Sequence, residues 1–404
     1  MIISRKIMRN VSLTAHPQGC ARFVRNQIAW VKDRLWTAGS ASPYAAPKPG
    51  SLPRRVLVLG GSTGYGLSSR IVAAFAGGAA TINVSYEREP AENKTATPGW
   101  YNSKAFEQEA ARVGLYAASI NGDAFSTSVK VETARMIRES MGQVDLVVYS
   151  LASPMRIDPV TGEAYRSVLK PIGKPYTALS VDVEKGIIET ATIEPADDIQ
   201  IQQTVKVMGG EDWRLWITYL QEQGLLAKGA KTVAYSYIGP QITFPVYREG
   251  TIGKAKEDLE ETAAELTGQL QPLGGEAYVS VNKALVTRAS AVIPVVPLYI
   301  ALLYQVMKEK GLHEQCTEQI YRMFVDRLYT GGAVPVDSEG RIRLDDWEMR
   351  EDIQAEVQKR WDAQKEGQPL VGGDLVGFQE EYDQIHGFGF AGVDYSLDVD
   401  PRQV

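Results

Sequence analysis

The sequence predicts an α/β fold, a doubly wound parallel sheet with helical and N-terminal elaborations. Three observations carry this. Apolar, β-branched runs alternate with stretches of helical periodicity from residue 55 onward. The runs are nearly unbroken, as in strands buried on both faces. The first run feeds a glycine-rich loop and then a helix, the start of a strand–loop–helix unit.

The elements follow in order. Arg55–Gly61 (RVLVLGG) reads as a buried strand and Leu67–Ala76 as a helix. Thr81–Glu87 is the second strand and Tyr116–Ile120 the third, after which helical spacing covers residues 127–140. Asp145–Leu151 (DLVVYSL) is the fourth strand, Thr232–Ile238 a later one and Ala277–Val281 a short one. A helix is expected over 251–270, because Ala255, Leu259, Ala263, Leu266 and Leu270 share one face. Thr251 is its expected cap. Residues 37–53 (TAGSASPYAAPKPGSLP) read as a flexible loop rich in Ala, Ser, Pro and Gly.

Composition narrows the function. The chain has 404 residues, 44% hydrophobic and 23% charged, as in an ordinary globular enzyme. Its 43 basic and 49 acidic residues give a net charge of -6, so no basic excess points to nucleic acid. Cys20 and Cys316 cannot build a disulfide framework and suit a reducing, cytoplasmic compartment. The longest apolar stretch, Ala291–Tyr304, is shorter than the roughly 20 residues a bilayer needs and reads as a buried helix, so no membrane span is expected. The N-terminus carries Arg5, Lys6, Arg9, Arg22 and Arg25 before the first acid, Asp33, somewhat as a transit peptide does. No separate apolar core or small-residue cleavage site accompanies them.

The first strand ends in Gly60, Gly61, Ser62, Thr63, Gly64, Tyr65 and Gly66. Glycines let a backbone turn sharply and approach a pyrophosphate, and the following helix N-terminus offers free N–H groups to the anion. The reading is a Rossmann-like dinucleotide site, with a structural glycine turn as the plainer alternative. Glu87 ends the second strand, 21 residues beyond Gly66. An acid there accepts the ribose hydroxyls of NAD and repels a 2′-phosphate. Arg88 beside it softens that preference. Asp123 and Ala124 follow the third strand, where an adenine edge would lie, though a turn-stabilising Asp fits as well. Leu151 and Ala152 close the fourth strand, where small residues let a nicotinamide ribose approach. The expected division is a 1–36 segment packed on the core, the 37–53 loop, and a 54–404 dinucleotide-binding and catalytic domain with a C-terminal extension.

The chemistry centres on Tyr235–Pro240 and Tyr247–Lys256. A Tyr hydroxyl has a pKa of about 10, and a nearby ammonium makes it a stronger acid. Tyr247 and Lys256 are separated by eight residues, with Lys256 in the first turns of the expected helix. Lys254 is the rival lysine. The plainer reading is an aromatic strand end before a solvated, Lys-rich helix start.

These residues carry a family resemblance. The spacing Tyr, eight residues, Lys resembles the FabV/Ter-type trans-2-enoyl thioester reductases, relatives of the short-chain dehydrogenases. Further matches are Thr14–Pro17 with Gly19 and Cys20, the Gly60–Leu67 loop, Gly99–Asn102, Ile120–Phe125, Val148–Pro154, Val207–Trp213, Ser280–Thr287, His386–Gly389 and Gly392–Tyr395. The resemblance spans nearly the whole chain. It implies NADH-dependent reduction of the C2=C3 double bond of an enoyl-CoA or enoyl-acyl-carrier-protein substrate, in fatty acid synthesis. By position, it implies that Tyr247 is the catalytic proton donor and that Lys256 assists it and contacts the cofactor ribose. It implies that Tyr237 meets the substrate carbonyl. It also implies that Gly60, Gly61, Ser62, Thr63, Gly64, Tyr65, Tyr86, Glu87, Asp123, Ala124, Leu151, Ala152, Leu285, Val286 and Thr287 contact the cofactor. Relatives of this type are usually monomeric. The chain departs from the pattern in a longer 37–53 loop and in Gly61, where relatives more often have Ala. The C-terminal region resembles a segment sometimes called flavin-binding, but it carries no independent flavin signature.

The remaining candidates take plainer readings. His16 is a structural hydrogen-bonder, and His313 and His386 show no metal-ligand spacing with the cysteines. Trp213 and Trp216 are core or lid packing. The acids around Glu257, and Asp345, Asp346, Glu348, Glu351 and Asp352, are expected on solvated helix faces. The alternative function is a short-chain-dehydrogenase-like carbonyl reductase. That class spaces its Tyr and Lys by three residues, and the residue four after Tyr247 is Thr251.

Overall fold

A computed structural model describes residues 1–8, 11–36, 44–48, 50–288, 290, 293 and 295–404. Its centre is a seven-stranded sheet. The strands are β1 (Arg55–Leu59), β2 (Ala80–Ser85), β3 (Ala117–Asn121), β4 (Val144–Tyr149), β5 (Leu226–Ser236), β6 (Glu276–Val281) and β7 (Ile342–Arg343). They lie in the order β7-β6-β5-β4-β1-β2-β3, and every neighbouring pair is parallel. The direction of strand order reverses between β1 and β4. In doubly wound sheets the ligand crevice opens there, beyond the carboxyl ends of the strands.

Side-chain alternation along each strand sorts the core into two layers. Val56 and Val58 of β1 and Leu146 and Val148 of β4 point to one face. There they meet helices α1 (Pro17–Trp36), α2 (Gly64–Gly77) and α3 (Pro98–Arg112). Leu57, Leu59, Val147 and Tyr149 point to the other. That face is covered by α4 (Thr127–Ser140), α6 (Glu211–Glu222) and α7 (Thr251–Leu270), with α5 (Asp198–Met208) packed on α7. Trp213 and Trp216 of α6 are fully buried there, each donating its indole N–H, to Thr232 Oγ1 and to the Ala124 carbonyl respectively.

A third apolar cluster lies under α8 (Val296–Glu309), the helix expected from the long apolar run. It is closed by an antiparallel hairpin, Tyr176–Asp182 with Ile187–Ile193, and by two C-terminal helices. A short helix α9 (Cys316–Arg322) packs on α2, and α10 (Glu351–Asp362) and α11 (Leu375–Ile385) follow. Among the described residues no helix is long and apolar enough to cross a membrane.

Two sequence expectations need correction. Thr251 does not cap α7: Gly250 holds the cap position, and Thr251 is a buried first-turn residue. Its hydroxyl donates to the Val168 carbonyl at 2.5 Å, tying the helix start to a segment 83 residues earlier in the chain. Nor is the 345–352 acidic run a solvated face throughout. Asp345 and Glu348 are 1% and 0% exposed and precede α10 rather than lying on it. Part of the 37–53 loop, residues 37–43 and 49, lies outside the described residues. In the rest, Tyr44 packs edge-on against Trp30 and Tyr321.

Candidate active site

The glycine loop leaves β1 at the point where the strand order reverses. Gly60 has φ +88°, and a Cβ there would sit 2.2 Å from the Ser150 carbonyl at the end of β4. Only glycine lets the two strand ends meet this closely. The Gly60 N–H donates to Val84 O at 2.7 Å and the Gly61 N–H to Asn83 Oδ1 at 2.7 Å, so β2 fixes the turn. Ser62 Oγ donates to Glu87 Oε1 at 2.7 Å, which links the loop to the acid at the end of β2. Tyr65 donates its hydroxyl to the Lys283 carbonyl at 2.8 Å, joining the loop to the segment after β6.

Glu87 faces the crevice, but both of its oxygens are engaged: the second lies 3.5 Å from Arg288 Nη1. Tyr86 is 82% exposed. Asp123 accepts the Phe125 N–H at 3.0 Å, so it does stabilise its turn. A buried lysine carries that turn from behind. Lys130 Nζ donates to the Ala124 carbonyl at 3.0 Å, the Phe125 carbonyl at 3.1 Å and Asp212 Oδ1 at 2.8 Å.

Tyr237 and Tyr247 come together just beyond β5, their rings edge-to-face with centroids 4.8 Å apart. Gly239, φ +74°, makes the turn between them, and a Cβ there would lie 2.5 Å from the Tyr237 hydroxyl. Burial raises the pKa of both phenols, and the Glu348 charge adds to it, so both hold their protons at neutral pH. Lys256 turns inward from the second turn of α7 and donates to the Tyr235 carbonyl at 3.0 Å. Burial pulls its pKa down to about 8. Lys254 points outward and pairs with Glu257 at 2.8 Å. The helical turn thus separates the two lysines that spacing left as rivals.

Leu285, Val286 and Thr287 line the same end of the sheet. The Val286 N–H donates to the Tyr304 hydroxyl at 2.9 Å, and the Thr287 N–H to Ser290 Oγ at 2.9 Å. His16 is buried and uses Nδ1 to accept the Gly19 N–H at 3.3 Å, a structural role. No group of metal-ligating side chains occurs among the described residues.

Comparison with known proteins bears on this geometry. Residues 94–329 match the family model for the trans-2-enoyl-CoA reductase catalytic region, and residues 2–92 match the NAD(P)H binding domain of trans-2-enoyl-CoA reductase. This chain belongs to the trans-2-enoyl-CoA reductase family. An enoyl-acyl-carrier-protein reductase (NADH) of Flavobacterium johnsoniae is 55% identical over 400 residues, covering 99% of this chain and 98% of that one. The Coxiella burnetii protein of the same name is 51% identical over 402 residues, 99% and 96% of the two chains. Among solved structures, Treponema denticola trans-2-enoyl-CoA reductase in complex with NAD superposes with a TM-score of 0.93 at 49% identity, covering 99% and 98%.

Residues 336–399 match a third family model, described as an enoyl reductase FAD binding domain. The residues present do not fit a flavin dinucleotide. The one strand of this segment among the described residues is the two-residue β7, and no glycine loop joins it to a helix. Its inward-facing carboxylates are already bonded within the protein. Asp345 pairs with Arg343 at 2.6 Å. Glu381 accepts the Tyr304 hydroxyl at 2.6 Å, and Glu348 accepts the Tyr299 hydroxyl at 2.6 Å.

Sequence reasoning missed Lys130, Asp212, Tyr299, Tyr304, Glu348 and Glu381. For Glu348 a signal was present: Leu344, Trp347 and Met349 are interleaved with the acids, which a wholly solvated face does not require.

Proposed function

We propose that this family member uses NADH to reduce the C2=C3 double bond of trans-2-enoyl thioesters. The observation that carries the reading is the pair Tyr237 and Tyr247, in edge contact at the carboxyl end of β5, with Lys256 turned in beside the strand end. Gly60–Tyr65, Tyr86, Glu87, Asp123, Ala124, Leu151, Ala152, Lys256 and Leu285–Thr287 form the cofactor site. The loop at the strand-order reversal supports this, as does membership of a family with an NAD(P)H binding domain.

Bound NADH supplies the hydride, which reaches the β-carbon of the enoyl thioester. Negative charge then gathers on the thioester oxygen, where O–H donors stabilise it most. Tyr237 and Tyr247 are those donors. Tyr247 keeps its proton in the resting site because burial favours the neutral phenol. It gives that proton to the α-carbon as the enolate collapses back to the thioester carbonyl. The Lys256 ammonium holds the cofactor ribose and adds positive charge to this end of the sheet. The Arg288–Glu87 contact opens to let Glu87 accept the ribose hydroxyls. The free thiols Cys20 and Cys316 suit a cytoplasmic enzyme. The enzyme works as a monomer, as the resemblance to this family implies.

The test is the decay of NADH absorbance with crotonyl-CoA, with an enoyl-acyl-carrier-protein and with a ketone. Decay with the thioesters but not the ketone is expected. Tyr247→Phe lowers kcat by roughly 10²–10⁴-fold, the worth of a positioned acid. Decay with the ketone alone would make the chain a carbonyl reductase, and wild-type turnover by Tyr247→Phe would remove that residue from the chemistry.

A further inference from the structure

Glu348 comes from the C-terminal segment and ends under the active site. Its side chain is fully buried. Oε1 accepts the Tyr299 hydroxyl at 2.6 Å and the Tyr237 hydroxyl at 3.2 Å, while Oε2 accepts the Ala284 N–H at 2.8 Å. One carboxyl group therefore touches the substrate-side tyrosine and the residue just before Leu285–Thr287.

A phenol has a single proton, and an ionised carboxylate can only accept. While Glu348 is ionised, the Tyr237 proton points at it, and Tyr237 offers the thioester oxygen only lone pairs. That is the wrong polarity for a developing enolate. A neutral Glu348 reverses this. Its Oε1–H donates into the Tyr237 oxygen, Oε1 still accepts from Tyr299, and Oε2 still accepts from Ala284. The Tyr237 proton is then free for the substrate.

We propose that Glu348 is a positioning residue that sets the direction of the Tyr237 hydroxyl proton, and that its neutral form is the competent one. This rests on the reading of Tyr237 as a donor to the thioester oxygen. The surroundings agree with it. Burial lifts the Glu348 carboxyl to about 7, against the Tyr299 hydrogen bond, the Lys283 charge and the Ala284 N–H, which pull it down. The other ionisable groups facing it are Tyr65, Tyr237, Tyr247, Tyr299, Lys283 and Asp345. Burial raises all four tyrosines, so they stay neutral. Burial lowers Lys283, and Asp345 is paired to Arg343 at 2.6 Å.

The experiment is kcat/KM for crotonyl-CoA against pH, at saturating NADH, for the wild type, Glu348→Gln and Tyr237→Phe. Glutamine places a permanent N–H donor where Oε1 lies. It also strands the Tyr299 proton, so Glu348→Gln with Tyr299→Phe is run beside it. The wild-type profile falls as pH rises through about 7, the pKa of Glu348. In the Gln variants the fall moves up to about 8, where Lys256 loses its proton. The ratio of variant to wild-type kcat/KM therefore rises about tenfold between about pH 6 and about pH 8. A constant ratio, in both the single and the double variant, overturns the proposal. Loss of activity at every pH in both, with NADH still bound by fluorescence titration, overturns it too, since a donor at that position should suffice. Wild-type kcat/KM for Tyr237→Phe removes the reading of Tyr237, and the proposal with it. An impaired Tyr237→Phe beside an unshifted Gln profile removes the proposal alone.

Discussion

Lys130→Met removes the ammonium that holds the Ala124–Phe125 turn while keeping much of the side-chain length. In the wild type that ammonium makes the three hydrogen bonds described above and lies 4.8 Å from the Trp216 ring centre. Asp212, its partner, is 1% exposed. Removing one member of a buried pair costs about 3–5 kcal/mol, because the other charge is left stranded. Two features bring the figure to the lower end. The Ala124 carbonyl keeps the Trp216 N–H at 3.0 Å, and Asp212 keeps the Tyr149 hydroxyl at 3.3 Å. We expect a loss of about 3 kcal/mol at about pH 8. The loss depends on pH. Burial already raises the Asp212 pKa, and loss of the ammonium raises it further. Above the unfolded carboxylate pKa the folded variant then binds more protons than the unfolded chain, so its stability falls as pH rises. The deficit is therefore smaller at about pH 5 than at about pH 8. Urea denaturation of the wild type, Lys130→Met and Lys130→Met with Asp212→Asn at both pH values measures it. The double variant should be the milder, since its amide carries no stranded charge. KM for NADH rises in Lys130→Met, because the turn carries Asp123 and Ala124. A Lys130→Met protein within about 0.5 kcal/mol of wild type at about pH 8 would refute this account.

Lys256→Met should lower kcat/KM by about 10²-fold or more and raise KM for NADH, while Lys254→Met leaves both near wild type. The reverse order in steady-state assays would hand the role to Lys254. Gly60→Ala should destabilise the fold by more than about 1 kcal/mol, since alanine is strained at φ +88° and its Cβ meets the Ser150 carbonyl. Thermal denaturation and NADH titration check this; unchanged values for both would mean that the turn yields easily. Arg288→Ala frees one Glu87 oxygen and should lower KM for NADH without changing kcat. A higher KM would make Arg288 a cofactor contact instead.

Much of the sheet was legible because its signals are local. Strand runs such as RVLVL and DLVVYS have one period and one fate, and α4 and α7 were bounded correctly by apolar spacing. The edges were less legible. β5 begins at Leu226, six residues before the expected start, because a register shift between Leu226 and Lys231 interrupts its pairing with β4. The site divides the same way. Among the proposed site residues, Gly60, Glu87, Tyr247 and Lys256 stand out by type and spacing, and Tyr237 by the family resemblance. Glu348 stands out only weakly, through the apolar residues interleaved with it, since its role depends on three partners 49, 111 and 64 residues away in sequence. An acid among other acids reads as solvated until the fold shows which one turns inward.

That contrast bears on what the C-terminal segment does. The sheet order through β6 already provides a crevice, and its floor is glycine loop and strand ends. What the crevice lacks is a fixed wall on the β6 side, where the segment after Val281 has left the sheet. Two carboxylates from residues 336–399 brace that segment. Glu348 takes the Ala284 N–H directly, and Glu381 holds Tyr304, whose oxygen takes the Val286 N–H. Withdrawing carboxylates from water, wholly for Glu348 and largely for Glu381, is expensive unless each is well bonded. These two are, and their bonds run to the residues proposed to contact substrate and cofactor. The segment is therefore best understood as the brace that holds Tyr237 and Leu285–Thr287 in register across the site. This accounts for its inward-facing carboxylates by bonds made within the protein.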